Sequence, residues 1–255
     1  MNVKVDEMTL KEIRELGKVE VVMLPWGSCE PHNFHLPYGC DTMAGEHIAV
    51  ISARKAMEKG ARVTVFPAIP VGVNSNHEGF PLFLHMSPAT QEAVLKDIVR
   101  TLEKQGIRKM VILNAHGGND FKPILRGMFG CTKMRIFQVN WWTVAQDVVD
   151  RVSEDTGGEH GNETETSWCM ALFPDLVHLE WADEGKVREP RIEAMKKGWA
   201  WTTRPWSALT TNSGHGNPAK ATAEKGKKIV DTATDRIAAF LVELSQAEVD
   251  ENFPY

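Results

Sequence analysis

The fold is decided by the segment Lys109-Met110-Val111-Ile112-Leu113-Asn114, which Ala115-His116-Gly117-Gly118-Asn119 follows directly. Four consecutive apolar residues predict a strand that is buried on both faces, as strands are in parallel sheets covered by helices. The two glycines let the backbone turn sharply and approach a ligand closely where the strand ends. Ligands in open α/β sheets bind beyond the carboxyl ends of the strands, so His116 is a candidate site residue.

Strand and helix patterns alternate on both sides of this segment. Further strands are predicted at residues 21–24, 62–66 and 134–139, and helices at residues 42–59, 88–105, 119–129, 163–173 and 219–244. The alternation predicts one three-layer α/β/α domain over residues 1–255 with a mostly parallel sheet. Residues 182–217 do not fit this alternation and form a long irregular excursion. Two interpretations of it are equally open: its tryptophans simply pack, or it serves as a lid, a binding segment or a subunit contact.

Composition excludes several classes of protein. The 255 residues are 42% hydrophobic and 25% charged, with a formal net charge of -5, which argues against a protein that tracks nucleic-acid phosphates. No run of about 18 apolar residues predicts a membrane span. The four cysteines form no CxxC pair, and the charged N-terminal stretch lacks the apolar core of a signal peptide. We expect a cytoplasmic protein with reduced cysteines that acts on a small molecule.

Candidate metal ligands follow the first predicted strand, in residues 27–37 and shortly after them. Glu30 and His32 are two residues apart, so their side chains point to the same side of an extended chain. A carboxylate and an imidazole together suit a cation such as Zn²⁺ or Mn²⁺. Asp41 could join them, although it also stands where the N-cap of the next helix is expected.

A third candidate segment is residues 159–167, where Asn162 and Glu165 are spaced like a capping box. Glu163 and Glu165 are separated by about 200° on a helix, so only one of them can face a metal site. A fourth segment, residues 74–81, carries polar groups suited to holding a substrate. We assign substrate binding to His77, Asn119 and Trp142. Trp141 and Trp142 follow a predicted strand directly, and they could equally belong to the core or to a subunit interface.

Taken together, these motifs resemble the creatininase (creatinine amidohydrolase) family, and the resemblance covers nearly the whole chain. It is carried by six segments in the family's order: residues 27–32, 35–37 with Asp41, 77–81, 114–119, 160–167 and 218–226. The resemblance implies a layered α/β/α domain, often assembled into hexamers, that binds one or two divalent metals (Zn, Mn or Fe).

The resemblance also implies roles for individual residues. Glu30 and His116 would bind one metal, His32 and Glu165 the second, and Asp41 would bridge the two. His160 would act as a proton shuttle, and Glu163 is the remaining catalytic candidate. A metal-bound hydroxide held against Asp41 would then attack a carbonyl carbon.

The expected reaction is hydrolysis of a C–N bond in a small cyclic or linear amide. Creatininase itself carries a metal-binding glutamate where this chain has Gly118, so other substrates of the family stay open, namely a formamide or an oxidised cyclic sugar. A third alternative is a homologue that binds a small ligand without catalysis, because residues 33–34 and 82–83 depart from the family pattern.

Overall fold

The computed structural model describes residues 2–155 and 157–255. Its central sheet contains strands β1 (Val21–Trp26), β2 (Val63–Val65), β3 (Lys109–Asn114) and β4 (Arg135–Asn140) in the order β2-β1-β3-β4. All neighbouring strands are parallel. The predicted α/β class and parallel sheet are therefore confirmed.

The helices that connect and cover these strands are α1 (Leu10–Glu15), α2 (Cys40–Glu58), α3 (Pro88–Lys104), α4 (Phe121–Met128), α5 (Gln146–Val152), α6 (Glu163–Leu172), α7 (Glu193–Lys196), α8 (Trp206–Leu209) and α9 (Ala223–Gln246). The five predicted helices correspond to α2, α3, α4, α6 and α9 and begin within four residues of the predicted positions, whereas the other four helices have no counterpart among the predictions. Among the described residues, no helix is sufficiently long and apolar to cross a membrane.

Each face of the sheet contributes to a separate apolar core. Val111 and Leu113 of β3 pack into a core with residues of α2, α6 and α9. Met110 and Ile112, on the opposite face, pack with residues of α3 and α4. Since successive side chains of a strand point to opposite faces, the continuous apolar run of β3 serves both layers.

The first strand extends two residues beyond its prediction and includes Pro25. β2 pairs only with residues 21–23 of β1, and the carbonyl of Pro25 accepts a hydrogen bond from Ile69 on that side. The β2 ladder has ended before residue 25, so the absence of an N–H group in proline costs no ladder hydrogen bond on that side. The extra residues carry the chain towards the site-bearing edge of the sheet.

Residues 182–217 contain the short helices α7 and α8. Trp206 of α8 is buried, whereas Trp199 and Trp201 are 75% and 83% exposed. Next to Trp206, the hydroxyl of Ser207 donates a hydrogen bond to the carbonyl of Glu78. The excursion thereby places one tryptophan against the loop of residues 74–81.

Candidate metal centre

The candidate ligands converge beyond the carboxyl ends of β1 and β3. These strands are adjacent and parallel, and Trp26 pairs with Asn114 at their ends. The residues that follow, Glu30 and His32 after β1 and His116 after β3, therefore lie at the same edge of the sheet.

The first group of donors consists of Glu30, Asp41 and His116. Nδ1 of His116 lies 3.0 Å from Oε1 of Glu30 and 3.0 Å from Oδ2 of Asp41. All three residues are buried, and their ligand atoms lie within 4.8 Å of one another. This is a compact N,O donor set of the kind that binds divalent metals.

A second group of donors lies beside the first and consists of His32, His160 and Glu165. The rings of His32 and His160 stack with their centroids 4.0 Å apart. Oδ1 of Asp41 lies 3.1 Å from Nε2 of His32, while its Oδ2 faces His116. Asp41 thus contacts both groups, as a bridging carboxylate would.

The alternative role of Asp41 as an N-cap is wrong. The N-cap of α2 is Gly39, and Asp41 lies inside the first helical turn. For α6, by contrast, Asn162 is the N-cap and accepts from the backbone N–H of Glu165, while the Glu165 carboxylate lies among the donors of the second group.

Main-chain carbonyls fix the orientation of the three histidines. Nδ1 of His32 donates to the carbonyl of Glu30, Nε2 of His116 to that of Val73, and Nε2 of His160 to that of Pro31, at 3.0, 3.2 and 2.8 Å. A carbonyl only accepts, so these nitrogens carry the hydrogen and the opposite nitrogen faces the carboxylates. Metal-binding histidines are typically held in this way.

Gly118 makes one of these contacts possible. A Cβ atom at this position would lie 2.3 Å from the Val73 carbonyl oxygen and 2.4 Å from Nε2 of His116. Any side chain would displace the hydrogen bond between them. The second glycine of the turn is therefore required by close packing around the His116 ring.

The charges of the two groups compensate one another. Burial disfavours a charged imidazole, but the Asp41 carboxylate outweighs it and raises the pKa of His32 to about 10. The pKa of His116 is also raised, against burial, by Glu30 and Asp41. The pKa of Asp41 is lowered, because the charges of both histidines outweigh its burial, whereas burial raises the pKa of Glu165 to about 7. Binding of a cation would displace the histidine protons.

The residues present fit a divalent cation. Oε2 of Glu30 is buried and has no hydrogen-bond partner among the described residues, and the buried Oδ2 of Asp41 faces Nδ1 of His116, a nitrogen that does not donate while Nε2 carries the hydrogen. Buried carboxylate oxygens without a partner are costly, and a cation is the partner that such a mixture of carboxylates and imidazoles favours. Donors for two ions are available, Glu30, Asp41 and His116 on one side and His32 and Glu165 beside His160 on the other.

Glu163 does not reach this centre, which corrects its expected catalytic role. It is fully buried, and its carboxylate accepts hydrogen bonds from the backbone N–H groups of Glu154 and Asp155 and from Nζ of Lys225. The first turn of α6 directs Glu165 towards the donors and Glu163 away from them. Glu163 holds the preceding loop to α9.

Asn119 also has a structural role, which corrects the expected contact with substrate. Its side-chain oxygen accepts hydrogen bonds from the backbone N–H of Val73 and from Gln91, and its amide donates to Asn114. These bonds leave its side-chain oxygen committed on both sides. The residue connects the glycine turn to the neighbouring loop.

Five of the six donors, all except the fully buried His32, line the floor of a cavity of about 960 Å³. Trp142 and His77 line this cavity, while Trp141 is buried and packs edge-on against Trp168. Trp206, which the sequence does not single out from its excursion, lies in the wall and stacks on His77 with ring centroids 5.3 Å apart. The one sequence signal for Trp206 as a site residue was its place in a tryptophan-rich stretch.

Relatives of known name match almost the whole chain. The chain is 30% identical to the 3-dehydro-scyllo-inosose hydrolase of Thermotoga maritima, over 97% of this chain and 83% of that protein. It is 27% identical to the creatinine amidohydrolase of Pseudomonas putida, over 93% and 95% of the two chains.

Solved structures share the same fold. A Bacteroides fragilis protein assigned by name to the creatinine amidohydrolases superposes with a TM-score of 0.92 at 38% identity, covering 98% of this chain and 99% of that one. Creatininases with manganese and with two zinc ions superpose at TM-scores of 0.81 and 0.80, each covering 97% of this chain at 24% identity.

The family model for creatininase, described as creatinine amidohydrolase, matches residues 6–241. This match spans most of the chain, and the homologues named above are hydrolases. The chain therefore belongs to the creatininase family.

Proposed function

We propose that this protein is a divalent-metal-dependent hydrolase that cleaves the C–N bond of a small cyclic or linear amide. The observation that carries the proposal is the contact of Asp41 with both His32 and His116 at the floor of the cavity. Two buried donor groups joined by one carboxylate are typical of centres that hold two ions close together.

The residues would hold the ions as follows. Glu30, Asp41 and His116 would bind the first ion, and His32 and Glu165, with Asp41 between, would bind the second. Zn, Mn and Fe suit these nitrogen and oxygen donors, and manganese and zinc are the ions named for the solved creatininases. When bound, such a cation lowers the pKa of a water molecule and polarises a carbonyl group.

His160 is suited to move the proton. Burial, and then the charge of His32, lower its pKa to about 3, so its ring is neutral. The hydrogen bond from Nε2 to the Pro31 carbonyl leaves the Nδ1 lone pair free. Nδ1 would accept a proton from water as the water oxygen attacks the carbonyl carbon. It would return that proton to the leaving nitrogen as the C–N bond breaks, a step typically worth about 10² to 10⁴ in rate.

Aromatic side chains favour a flat substrate. Trp142, Trp201 and Trp206 line the cavity above the donors. Indole rings stack well on planar, unsaturated groups and offer few hydrogen bonds to the hydroxyls of a polyol. These walls support an amide ring over a sugar as the substrate.

A specific observation favours a second candidate, an oxidised cyclic sugar. The hydrolase of 3-dehydro-scyllo-inosose, whose name denotes a cyclic polyol ketone, is 30% identical over 97% of this chain. Acidic side chains, among them Asp120, Asp150 and Glu159, also line the cavity and could accept hydrogen bonds from hydroxyl groups.

A panel of lactams, formamides and cyclic diketones, tested with metal-loaded protein, separates these candidates. We expect turnover of an amide, and a loss of about 10² to 10⁴ in kcat in His160→Gln at unchanged metal content. Turnover confined to the diketones would favour the second candidate. Tight binding of a panel member without any turnover would instead support the non-catalytic alternative.

We further propose that the protein is a cytoplasmic homo-oligomer, with a hexamer implied by the family resemblance. Large apolar side chains that are exposed in the single chain, Phe34, Leu82, Trp199 and Trp201, support a subunit contact. Light scattering of the purified protein measures the mass directly, and a monomer at micromolar concentration would contradict this proposal.

A further inference from the structure

His77 is a buried imidazole whose ring lacks the hydrogen bonds that orient the other histidines of the centre. It lies in the turn Ser75–His77 and is 2% exposed. Neither ring nitrogen has a hydrogen-bond partner among the described residues. A buried polar group without a hydrogen-bond partner is destabilising, and a ligand bound at a ring nitrogen would offset that cost.

The ring of His77 is held firmly in this position. It stacks on Trp206 at an interplanar angle of 10°, and the rings of Phe80 and Phe83 lie 6.2 and 6.4 Å away. The backbone is fixed as well, since His77 donates to the Asn74 carbonyl and accepts from the N–H of Phe80. The imidazole therefore cannot turn towards another partner.

The contact between His77 and Glu30 has the length expected of two ligands of one ion. Nδ1 of His77 lies 3.4 Å from Oε2 of Glu30, which also lacks a partner among the described residues. This exceeds the usual N–H···O distance of about 2.7 to 3.2 Å. Two ligands bound tetrahedrally to zinc at about 2.1 Å lie about 3.4 Å apart.

A third ligand is available in His160. Its Nδ1 lies 3.9 Å from Oε1 of Glu30, and one ligand atom from each of Glu30, His77 and His160 lies within 4.8 Å of the other two. All three residues are buried. The set offers two imidazole nitrogens and one carboxylate, which suits zinc.

The space between these atoms suits a bare cation better than a substrate oxygen. Both ring nitrogens of His77 expose less than 1 Å² of accessible surface. A carbonyl or hydroxyl oxygen, about the size of a water molecule, could not reach them without movement of the ring. A cation bound directly by the three donors needs no such opening.

We propose that Glu30, His77 and His160 form an additional divalent-cation position beside the two-ion centre. It shares Glu30 with the first ion and lies beside the second through His160. Its ion is therefore the weakest bound, because one donor and the nearby space are shared with other cations. This assignment replaces the substrate-binding role expected for His77.

Occupancy of this position inhibits the enzyme, a consequence that rests on the proposed function. A cation there occupies the Nδ1 lone pair of His160, which then cannot accept the proton. Excess zinc therefore lowers the rate after the two-ion centre is full.

Titration of metal-free protein with Co²⁺ and Zn²⁺ tests the position directly. Wild type is compared with His77→Phe, which keeps an aromatic ring against Trp206 but removes both nitrogens. We expect wild type to bind one weak equivalent more than His77→Phe, with the tighter equivalents unchanged and with a Co²⁺ absorption band that the variant loses. If His77→Phe does not fold, His77→Gln is titrated instead, since its amide is a much poorer metal ligand.

Identical metal stoichiometry and affinities in wild type and variant would overturn the inference. Loss of a tightly bound metal equivalent in the variant would also overturn it, because that result would place His77 in the two-ion centre. These results would leave the proposed function intact, whereas absence of metal from both proteins would contradict that function too. With a substrate from the panel, unchanged rates in excess Zn²⁺ would overturn the inhibitory role.

Discussion

Asp41 is the single residue of the centre whose carboxylate faces one histidine of each donor group. Its two carboxylate oxygens lie 3.1 Å from Nε2 of His32 and 3.0 Å from Nδ1 of His116. Each oxygen faces one of the two imidazole nitrogens closely, whereas Oε1 of Glu30 lies 3.0 Å from Nδ1 of His116 but 3.9 Å from Nε2 of His32. The connection between the two donor groups therefore depends on this residue.

We expect Asp41→Asn to abolish activity and leave the fold intact. An asparagine side chain presents one oxygen and one NH₂ group, so it cannot serve both groups as a carboxylate does. Activity and bound metal are measured together with the circular dichroism spectrum. Asp97→Asn, on the exposed surface of α3, is the matched control. Full activity in Asp41→Asn would eliminate the bridging role.

The positions of site residues could be predicted from the sequence where the path of the backbone alone determines them. Glu30, His32 and His116 follow strand ends, so a parallel sheet is sufficient to bring them to one edge. The directions of Glu163 and Asn119 depend on partners distant in sequence, such as Lys225 and Gln91. Spacing alone carries no information about those contacts.

Within one element, the first turn of α6 separates a structural glutamate from a site glutamate. Glu163 binds Lys225 and the backbone of residues 154–155, whereas Glu165 faces His32. The two are matched controls for each other, because they have the same chemistry and lie on the same turn.

Glu163→Gln should lower the free energy of unfolding by about 1 to 3 kcal/mol, because it weakens charge-assisted hydrogen bonds in a buried position. Metal content and kcat per folded molecule should be retained. Glu165→Gln should do the opposite, with loss of metal and little loss of stability in the metal-free protein. Urea denaturation and elemental analysis of both variants check this, and the reverse pattern would show that the two roles are exchanged.

A buried lysine connects β3 to the end of α9. Nζ of Lys109 donates to the carbonyls of Leu244, Ser245 and Ala247, at 2.8, 3.2 and 2.8 Å. Carbonyls at a helix C-terminus lack partners within the helix, and a cation also interacts favourably with this end of the helix dipole.

We expect Lys109→Met to destabilise the protein by about 1 to 3 kcal/mol, since two buried carbonyls and one partly buried carbonyl lose their partner. The effect is measured as a shift in the urea midpoint. Lys227→Met, at an exposed position of α9, serves as the control. Equal midpoints for the two variants would show that the Lys109 contacts contribute no net stability.

Element boundaries were predictable where the apolar pattern was strong and less so at the ends. The final helix begins at Ala223 rather than near residue 219, because Pro218–Lys220 form a short 3-10 turn before it. Thr222 then caps the helix by accepting from the backbone N–H of Lys225. Such caps shift a boundary by a few residues without changing the fold.

At the scale of the whole molecule, the excursion of residues 182–217 completes the cavity. It has no periodic pattern, so sequence predicted neither its path nor the position of Trp206 beside His77. That contact joins residues far apart in the chain and arises from tertiary packing alone. The treatment of residues 1–255 as one domain stays a prediction.

Elemental analysis shows whether this fold holds a metal centre at the edge of its sheet. Protein purified without chelator is compared with His116→Ala, which removes the nitrogen facing both Glu30 and Asp41. We predict one or two equivalents of zinc, manganese or iron in wild type and clearly less in the variant. Wild-type protein that contains no metal and takes up none on titration would contradict the account.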